Sequence, residues 1–177
     1  MSVRISTVTS CAIVAVLGVM AKTGMDVHIK TSHQGLQFIA GQEHCRLHPY
    51  QCSAGVWTNG IGHAHVSPKS KVDVQQIAVW FQSDVKAAEK VVNHEVSLPP
   101  GPKFDMAVDF VFNLGARNFI HSTYLKRLKM GDDDSACNEL LRWVYVNGKD
   151  CRIKANHCYG IVKRRSQERE ICLHGYQ

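Results

Sequence analysis

Residues 35–63 read GLQFIAGQEHCRLHPYQCSAGVWTNGIGH, and a change of pattern inside this stretch decides the predicted fold. Its first part, 35–42, has the apolar spacing of a short helix, which Ser32 can cap. From residue 47 to residue 61, turn residues and the β-prone run 56–58 replace that spacing. This second part predicts a small antiparallel sheet.

The chain after residue 68 is predicted to be helical. Asp73 can cap a long helix whose apolar side chains recur at three- and four-residue steps, and the proline-rich run 98–102 ends it. A second apolar helix ends near Gly115, and shorter helices are expected at 122–130, 133–146 and 160–173. The order of elements indicates an α+β fold, with a small antiparallel β-region followed by a helical bundle. We interpret the polar segment 26–32 as a linker.

Composition limits the class of protein. The chain has 177 residues, 45% of them apolar, and a formal charge of +6, which fits one soluble domain plus an appendage. A basic protein is attracted to polyanions, but no Lys/Arg tract with interleaved aromatic residues is present, so nucleic acid is not an expected partner. Seven cysteines suit an oxidising compartment, and the odd number leaves one thiol unpaired within a single chain.

The N-terminal segment is an uncharged run between Arg4 and Lys22. A membrane-spanning helix needs about 20 apolar residues, so this run is short for a span, and its serines and threonines make it weakly apolar. Four interpretations fit it: a signal peptide cleaved near Ala21, a permanent anchor, a marginal anchor that can leave the bilayer, and a helix buried in the core. We expect an N-terminal membrane-anchor helix.

Glu43 lies at the junction of the predicted helix and sheet, where a cleft wall is expected. Counting from Glu43, Cys52 follows after eight residues and Thr58 after five more. This spacing, with the Gly60–His63 hairpin end, resembles the catalytic signature of the phage-type lysozymes, glycoside hydrolase family 24. Two further regions resemble that family: residues 111–125, and a C-terminal region containing 141–145, 160–165 and Glu168. The resemblance covers residues 33–174.

The resemblance implies a lysozyme-like fold and a muramidase that needs no cofactor or metal. Such an enzyme hydrolyses the β-1,4 bonds between N-acetylmuramic acid and N-acetylglucosamine in peptidoglycan, by a single-displacement, inverting mechanism. Glu43 would protonate the glycosidic oxygen, and Cys52 and Thr58 would position and polarise the attacking water. Many family members have aspartate at the position of Cys52, and cysteine is an accepted alternative. The implied biological role is host-cell lysis for phage release, by a monomer.

Other residues receive supporting roles. Phe112 and Asn113 are expected to contact sugar. His63 is expected to pair with a carboxylate and hold the hairpin, and Arg164 and Arg165 to support the core, with one of them reaching toward Glu43.

Three cysteines suggest how the activity of the enzyme is controlled. Together with the weak anchor, Cys11, Cys45 and Cys52 resemble the signal-arrest-release endolysins, a subclass of phage lysozymes. The resemblance implies an enzyme held at the periplasmic face of the host inner membrane and later released to the periplasm. It also implies a Cys45–Cys52 bond in the tethered form, which Cys11 exchanges for Cys11–Cys45 on release. The predicted regions are therefore an anchor at 1–25 and a muramidase domain at 26–177.

The remaining four cysteines are expected to form structural disulfides. Cys137 lies early in the penultimate predicted helix and Cys172 near the end of the last one, so antiparallel packing would bring them together. Cys151 and Cys158 would then close a short loop. Four cysteines allow three pairings, so the sequence leaves the alternatives open.

Three other functions remain to be weighed. His63 and His65, or His44 and His48, are candidate zinc ligands of a wall peptidase, although no complete ligand pattern surrounds them. A membrane-tethered protein that binds the wall without cleaving it is compatible with Cys52 in place of aspartate. A protease using Cys52 and His63 is the third alternative, but nothing in the sequence orients that pair.

Overall fold

The computed structural model describes residues 11–43, 45–51 and 55–177, so the predictions for Cys52 and His44 lie outside the described residues. The α-helices are α1 Ile13–Thr23, α2 His33–Gln42, α3 Val74–Glu95, α4 Pro102–Leu114, α5 Ala116–Ile120, α6 Thr123–Lys129, α7 Asp133–Glu139 and α8 Tyr159–His174. The strands are β1 Cys45–Gln51, β2 Trp57–Ile61, β3 His63–Ala64, β4 Tyr145–Val146 and β5 Lys149–Asp150. Short 3₁₀ helices span Leu140–Arg142 and Lys154–Asn156. This is the α+β arrangement that the sequence predicts.

The helix starts follow from side-chain caps. The carboxylate of Asp73 accepts the backbone N–H of Gln76 at 2.8 Å, which satisfies one of the free donors at the start of α3. Ser32 caps α2 in the same way, accepting from the N–H of Gly35 at 3.0 Å. Both caps confirm the sequence predictions for these two helices.

The first sheet is antiparallel, with strand order β1-β2-β3. Cys45 pairs with Ile61 at one end of β1 and Gln51 with Trp57 at the other, and the register shifts between Arg46 and Tyr50. Pro49 lies inside this irregularity and has no N–H to donate to a neighbouring strand, so it fits a place where the ladder is interrupted.

The predicted helix over 133–146 is wrong in its second half. Helix α7 ends at Glu139, a short 3₁₀ helix follows, and β4 and β5 form a hairpin. Asn147 and Gly148 occupy the two-residue turn with φ of 50° and 74°. An Asn-Gly pair favours this positive-φ turn, and that local preference ends the helical pattern.

The N-terminal segment contains a short helix, and the expected membrane anchor stays a prediction. Residues 13–23 form a helix of 11 residues that buries Val16, Leu17 and Met20, while Val14 is 81% exposed. Helix α1 thus has one face packed against the protein and another face exposed. Across the described parts of the chain, no helix combines the length and the apolar character needed to cross a membrane.

Thr31 and Ser32, at the end of the predicted linker 26–32, are held by hydrogen bonds to distant residues. Thr31 is buried, and both its backbone N–H and its hydroxyl donate to one carboxylate oxygen of Glu89, at 2.6 and 2.7 Å. Ser32 donates from its backbone N–H to Asp105 at 2.9 Å. Residues 30–35 consequently belong to the same compact unit as the C-terminal half of the chain.

The chain forms two compact units. The first combines the described chain up to Ile29 with Leu36–Lys86, and its buried side chains include Met20, Ile39 and Phe81. The second combines Lys30–Gly35 with Ala87–Gln177. In its core the ring of Phe110 lies against three other rings, those of Phe119, Tyr124 and Trp143, at centroid distances of 5.8, 5.4 and 4.9 Å. The predicted division at residue 25 stays a prediction.

Two disulfides link elements of the second unit. Cys137 in α7 is bonded to Cys172 in α8, with the two Cα atoms 5.6 Å apart, and Cys151 is bonded to Cys158 across a separation of seven residues. These are the pairings expected from the sequence.

The hairpin glycines give a prediction for stability. A Cβ atom on Gly60 would lie 3.2 Å from two carbons of Ile77, whereas one on Gly55 would meet nothing within 4 Å, and both residues have positive φ. Gly60→Ala should therefore lower the free energy of unfolding by about 2–4 kcal/mol. Alanine is strained in the left-handed backbone conformation of this residue, and its methyl group would crowd Ile77. Gly55→Ala should cost about 1–2 kcal/mol from the backbone alone. Urea unfolding followed by circular dichroism checks this, and equal losses would contradict the predicted clash with Ile77.

Candidate functional site

Glu43 occupies the turn that joins α2 to the first sheet. Helix α2 ends at Gln42, the N–H of Glu43 donates to the carbonyl of Ala40 at 3.2 Å, and β1 begins at Cys45. The Glu43 side chain is half-buried. The residue therefore has the junction position that the sequence predicts, where a carboxylate is neither fully hydrated nor sealed in the core.

Thr58 lies on β2, the central strand of the same sheet. It pairs with Tyr50 on one side and Ala64 on the other, and it is only 4% exposed. Its hydroxyl donates to the carbonyl of Val56 at 3.1 Å, which orients the lone pairs of the oxygen. Cys52, the third predicted catalytic residue, follows the last residue of β1 in the sequence and lies outside the described residues.

His63 pairs with a carboxylate, as predicted. Its Nδ1 lies 2.8 Å from an oxygen of Asp84 on α3, and its ring stacks on Trp80 at a centroid distance of 4.5 Å. Burial raises the pKa of Asp84, and the hydrogen bond and charge of His63 oppose that rise. Because β3 starts at His63, these contacts attach the end of the sheet to α3. Among the residues that the structure describes, no group of three or more His, Cys, Asp or Glu side chains is placed to hold a metal ion.

The predicted sugar contacts lie on α4 in the second unit. Phe112 and Asn113 are both half-buried and occupy the last turn of the helix, next to Leu114. The amide oxygen of Asn113 accepts a hydrogen bond from the guanidinium of Arg165. With its oxygen engaged, Asn113 has its amide N–H₂ group to offer to an acceptor.

Arg164 and Arg165 belong to a buried ionic cluster. Arg164 donates to Asp109 at 2.7 Å and to Glu168 at 3.1 Å, and Arg165 lies 2.8 Å from the other oxygen of Glu168. Glu168 is fully buried, and that burial, reinforced by the negative charge of Asp109, raises its pKa well above the usual range. The predicted core-supporting role of the two arginines thus has a physical basis, because they compensate these carboxylates.

Sequence reasoning missed the buried carboxylates of α4. Asp105 is fully buried, accepts from Ser32, and accepts from the hydroxyl of Tyr176 at 2.8 Å. Asp109 lies four residues later and is also fully buried. The sequence did contain a signal, namely two acidic residues one helical turn apart inside an apolar helix. Because buried charges require partners, such a pair predicts a buried polar cluster.

Cys11 and Cys45 form a disulfide in the first unit, with the two Cα atoms 5.2 Å apart. The backbone adds a second link, because the N–H of Cys11 donates to the carbonyl of Cys45 at 3.1 Å. Cys45 is 6% exposed and lies two residues after Glu43. A change in this bond would therefore act directly beside the candidate acid.

Two phage proteins are similar in sequence to most of this chain. The SAR-endolysin of Escherichia phage P1 is 30% identical over 179 residues, which is 93% of this chain and 91% of that protein. The endolysin of Acyrthosiphon pisum secondary endosymbiont phage 1 is 33% identical over 79% of this chain and 95% of its own.

Solved structures agree in fold. The active form of the P1 phage endolysin Lyz superposes with a TM-score of 0.81 at 29% identity, covering 96% of this chain and 97% of that one. The secreted inactive form of the same endolysin gives a TM-score of 0.53 at 30% identity, covering 82% of this chain and 96% of that one. The profile of the family described as phage lysozyme matches residues 40–168. The chain therefore belongs to the phage lysozyme family.

Proposed function

We propose that this protein is an endolysin that hydrolyses the β-1,4 bond between N-acetylmuramic acid and N-acetylglucosamine in peptidoglycan, so that the host cell lyses. The observation that carries the proposal is the half-buried Glu43 at the junction of α2 and β1. Glycoside hydrolysis needs a carboxyl group that reaches the substrate and donates a proton to the leaving sugar oxygen, and the half-buried Glu43 side chain is accessible for that role. Membership of the phage lysozyme family supports a glycoside hydrolase.

The proposed reaction is a single displacement. Glu43 protonates the glycosidic oxygen while a water molecule attacks the anomeric carbon from the opposite face, and the configuration of that carbon inverts. Thr58 and Cys52 position this water. The buried Thr58 hydroxyl donates to the carbonyl of Val56, so its oxygen remains an acceptor for a water proton.

Replacing the acid tests the assignment of Glu43. Glu43→Gln should lower the rate of reducing-end release from peptidoglycan by at least about 10²-fold, because an amide cannot donate the proton. Glu170→Gln, at a half-exposed position on α8, is the matched control and should keep full activity. If folded Glu43→Gln clears cell walls within a few-fold of the unchanged protein, Glu43 is not the acid.

The role of Cys52 is tested by restoring a carboxylate. Cys52→Asp should remain active, because an aspartate can position the water, and it should become insensitive to thiol reagents that inactivate the unchanged protein. Cys52→Ala is the control and should lose activity. A well-folded but inactive Cys52→Asp protein would refute the assigned role.

We also propose that the enzyme is tethered to the inner membrane by its N-terminal segment and activated on release to the periplasm. In the tethered form Cys45 would be bonded to Cys52, which removes the thiol that positions water. On release, the thiolate of Cys11 attacks the sulfur of Cys45, the Cys11–Cys45 bond forms, and Cys52 leaves as a thiolate. One disulfide replaces another, so the exchange needs no external oxidant.

Two observations support this control. The structure has the Cys11–Cys45 bond, and α1 buries one apolar face within the first unit. The fold is also closer to the active form of the P1 endolysin than to its secreted inactive form, with TM-scores of 0.81 and 0.53. Both observations fit a structure in the released state.

Removing Cys11 tests the exchange. Cys11→Ser should delay or abolish lysis of cells expressing the protein, because Cys52 stays bonded, and added reductant should restore lysis by freeing it. Cys151→Ser, which removes a different disulfide, is the control and should not show rescue by reductant. Lysis by Cys11→Ser on the normal schedule without reductant would rule out the exchange, whatever the catalytic mechanism.

A further inference from the structure

The Cys151–Cys158 disulfide closes a short loop in the second unit, and this loop presents an apolar side chain to solvent. The two Cα atoms are 4.9 Å apart, and a short 3₁₀ helix lies between the two cysteines. Ile153 is 55% exposed there, and its neighbours in the sequence, Arg152 and Lys154, are exposed as well. A single exposed isoleucine is ordinary on a protein surface, so the charges around it decide what it can bind.

Hydrogen bonds hold the loop in one conformation. The backbone carbonyl of Asp150 accepts from the N–H of Ile153 at 3.2 Å and from the side-chain amide of Asn156 at 2.7 Å. The guanidinium of Arg152 donates to both carboxylate oxygens of Asp150, at 2.9 and 2.6 Å. These bonds from Arg152 lower the pKa of Asp150 to about 2, so near neutral pH the carboxylate stays charged and compensates Arg152. A loop that is ordered before its partner arrives binds at a lower entropic cost.

Three lysines around the loop have no ion-pair partner within the part of the chain that the structure describes. Lys149 precedes the loop, Lys154 lies in it, and Lys163 follows it in α8, and all three are exposed. Asp150 is the one acidic residue in the sequence from 149 to 163, and it is already paired with Arg152. The positive charge of the lysines is therefore uncompensated, which favours contact with an anionic surface.

Apolar groups accompany these charges. Tyr159 follows directly after the loop and is 44% exposed, and Lys163 lies one helical turn after it. Tyrosine, with an apolar ring and a polar hydroxyl, is typical of the interface between a membrane and water. Lysine can lay its aliphatic stem on apolar surface while its ammonium stays hydrated. A bilayer offers Ile153 an apolar region to enter, whereas a polysaccharide or a nucleic acid backbone does not.

We propose that the second unit docks on bilayers of anionic phospholipid through this basic loop surface, which consists of residues 151–158 with Lys149, Tyr159 and Lys163. The three ammonium groups bind lipid phosphates, and Ile153 enters the boundary between the headgroups and the acyl chains. The contact is reversible and uses neither the N-terminal segment nor any residue of the proposed catalytic machinery. It therefore does not depend on the proposed reaction or on the proposed anchor.

Sedimentation of the full-length protein with lipid vesicles tests the proposal. Vesicles that contain phosphatidylglycerol should bind the protein more tightly than vesicles of phosphatidylcholine alone, and added salt should reduce the difference. A triple variant, Lys149→Gln with Lys154→Gln and Lys163→Gln, should lower the partition coefficient on the anionic vesicles by about 10²-fold, since each lysine at such a surface contributes about 5-fold. Partitioning onto phosphatidylcholine, which includes any contribution of the N-terminal segment, should not change.

A second triple variant removes the same charge elsewhere. Lys69→Gln, Lys71→Gln and Lys86→Gln together replace three exposed lysines of the first unit, so both triple variants have the same net charge. This control should bind the anionic vesicles within a few-fold of the unchanged protein. An equal loss in the two triple variants, or no preference of the unchanged protein for anionic vesicles, would overturn the proposal.

The apolar part of the contact is tested separately. Ile153→Ser should lower partitioning onto the anionic vesicles by about 3–10-fold, because the apolar area of the isoleucine is no longer removed from water. Val79→Ser, which replaces a valine on α3 that is 43% exposed, is the matched control and should bind as the unchanged protein does. If Ile153→Ser binds equally well, the side chain does not enter the bilayer and the proposed mode of docking is wrong.

Purified peptidoglycan distinguishes the bilayer from the cell wall as the partner. Both triple variants are combined with Glu43→Gln, so that the peptidoglycan is not digested, and are sedimented with it. Docking on lipid predicts that the two combined variants bind peptidoglycan equally. If the loop lysines are needed for binding to peptidoglycan but not to anionic vesicles, the surface binds the wall and the proposal is overturned.

Discussion

The carboxylate of Glu168, buried between two arginines, is the interaction on which the second unit depends. Arg164 and Arg165 each contact one of its oxygens, and through them the cluster reaches Asp109 and Asn113 on α4. A buried carboxylate is costly unless it is paired, so α4 and α8 must keep their mutual register for these charges to compensate each other. Asn113, one of the two candidate sugar contacts, is therefore held by the buried Arg165 of this cluster.

The first unit has a different organisation, based on backbone pairing and one stacked histidine. Thr58 is fixed by strand pairing on both sides, and the end of the sheet is attached to α3 by the contacts of His63 with Asp84 and Trp80. Glu43 follows directly from the end of a helix. Thr58 thus lies in regular structure and Glu43 directly beside it, which limits the movement of both residues during reaction.

Periodicity and capping residues predicted the elements that depend on local preference. Asp73, Ser32 and the proline run bound their helices where expected, because caps and prolines act within one helical turn. The hairpin at 145–150 was missed, since its Asn-Gly signal follows an apolar helical pattern. The buried cluster was predicted only in part, because sequence patterns identify the two arginines and Glu168 but not their pairing with each other or with Asp109. Burial of α1 depends on contacts across distant parts of the chain. A terminal apolar run by itself is equally compatible with a packed helix and with a membrane anchor.

Cys45 also limits which disulfides one molecule can contain at the same time. Its sulfur forms one disulfide at a time, and here that bond is to Cys11. Any other disulfide of Cys45 can exist only in molecules that lack this one, so the two populations are mutually exclusive. When a mass measurement gives the fraction of chains with the Cys11–Cys45 bond, the remaining fraction of the sample is therefore the upper limit for every alternative pairing of Cys45.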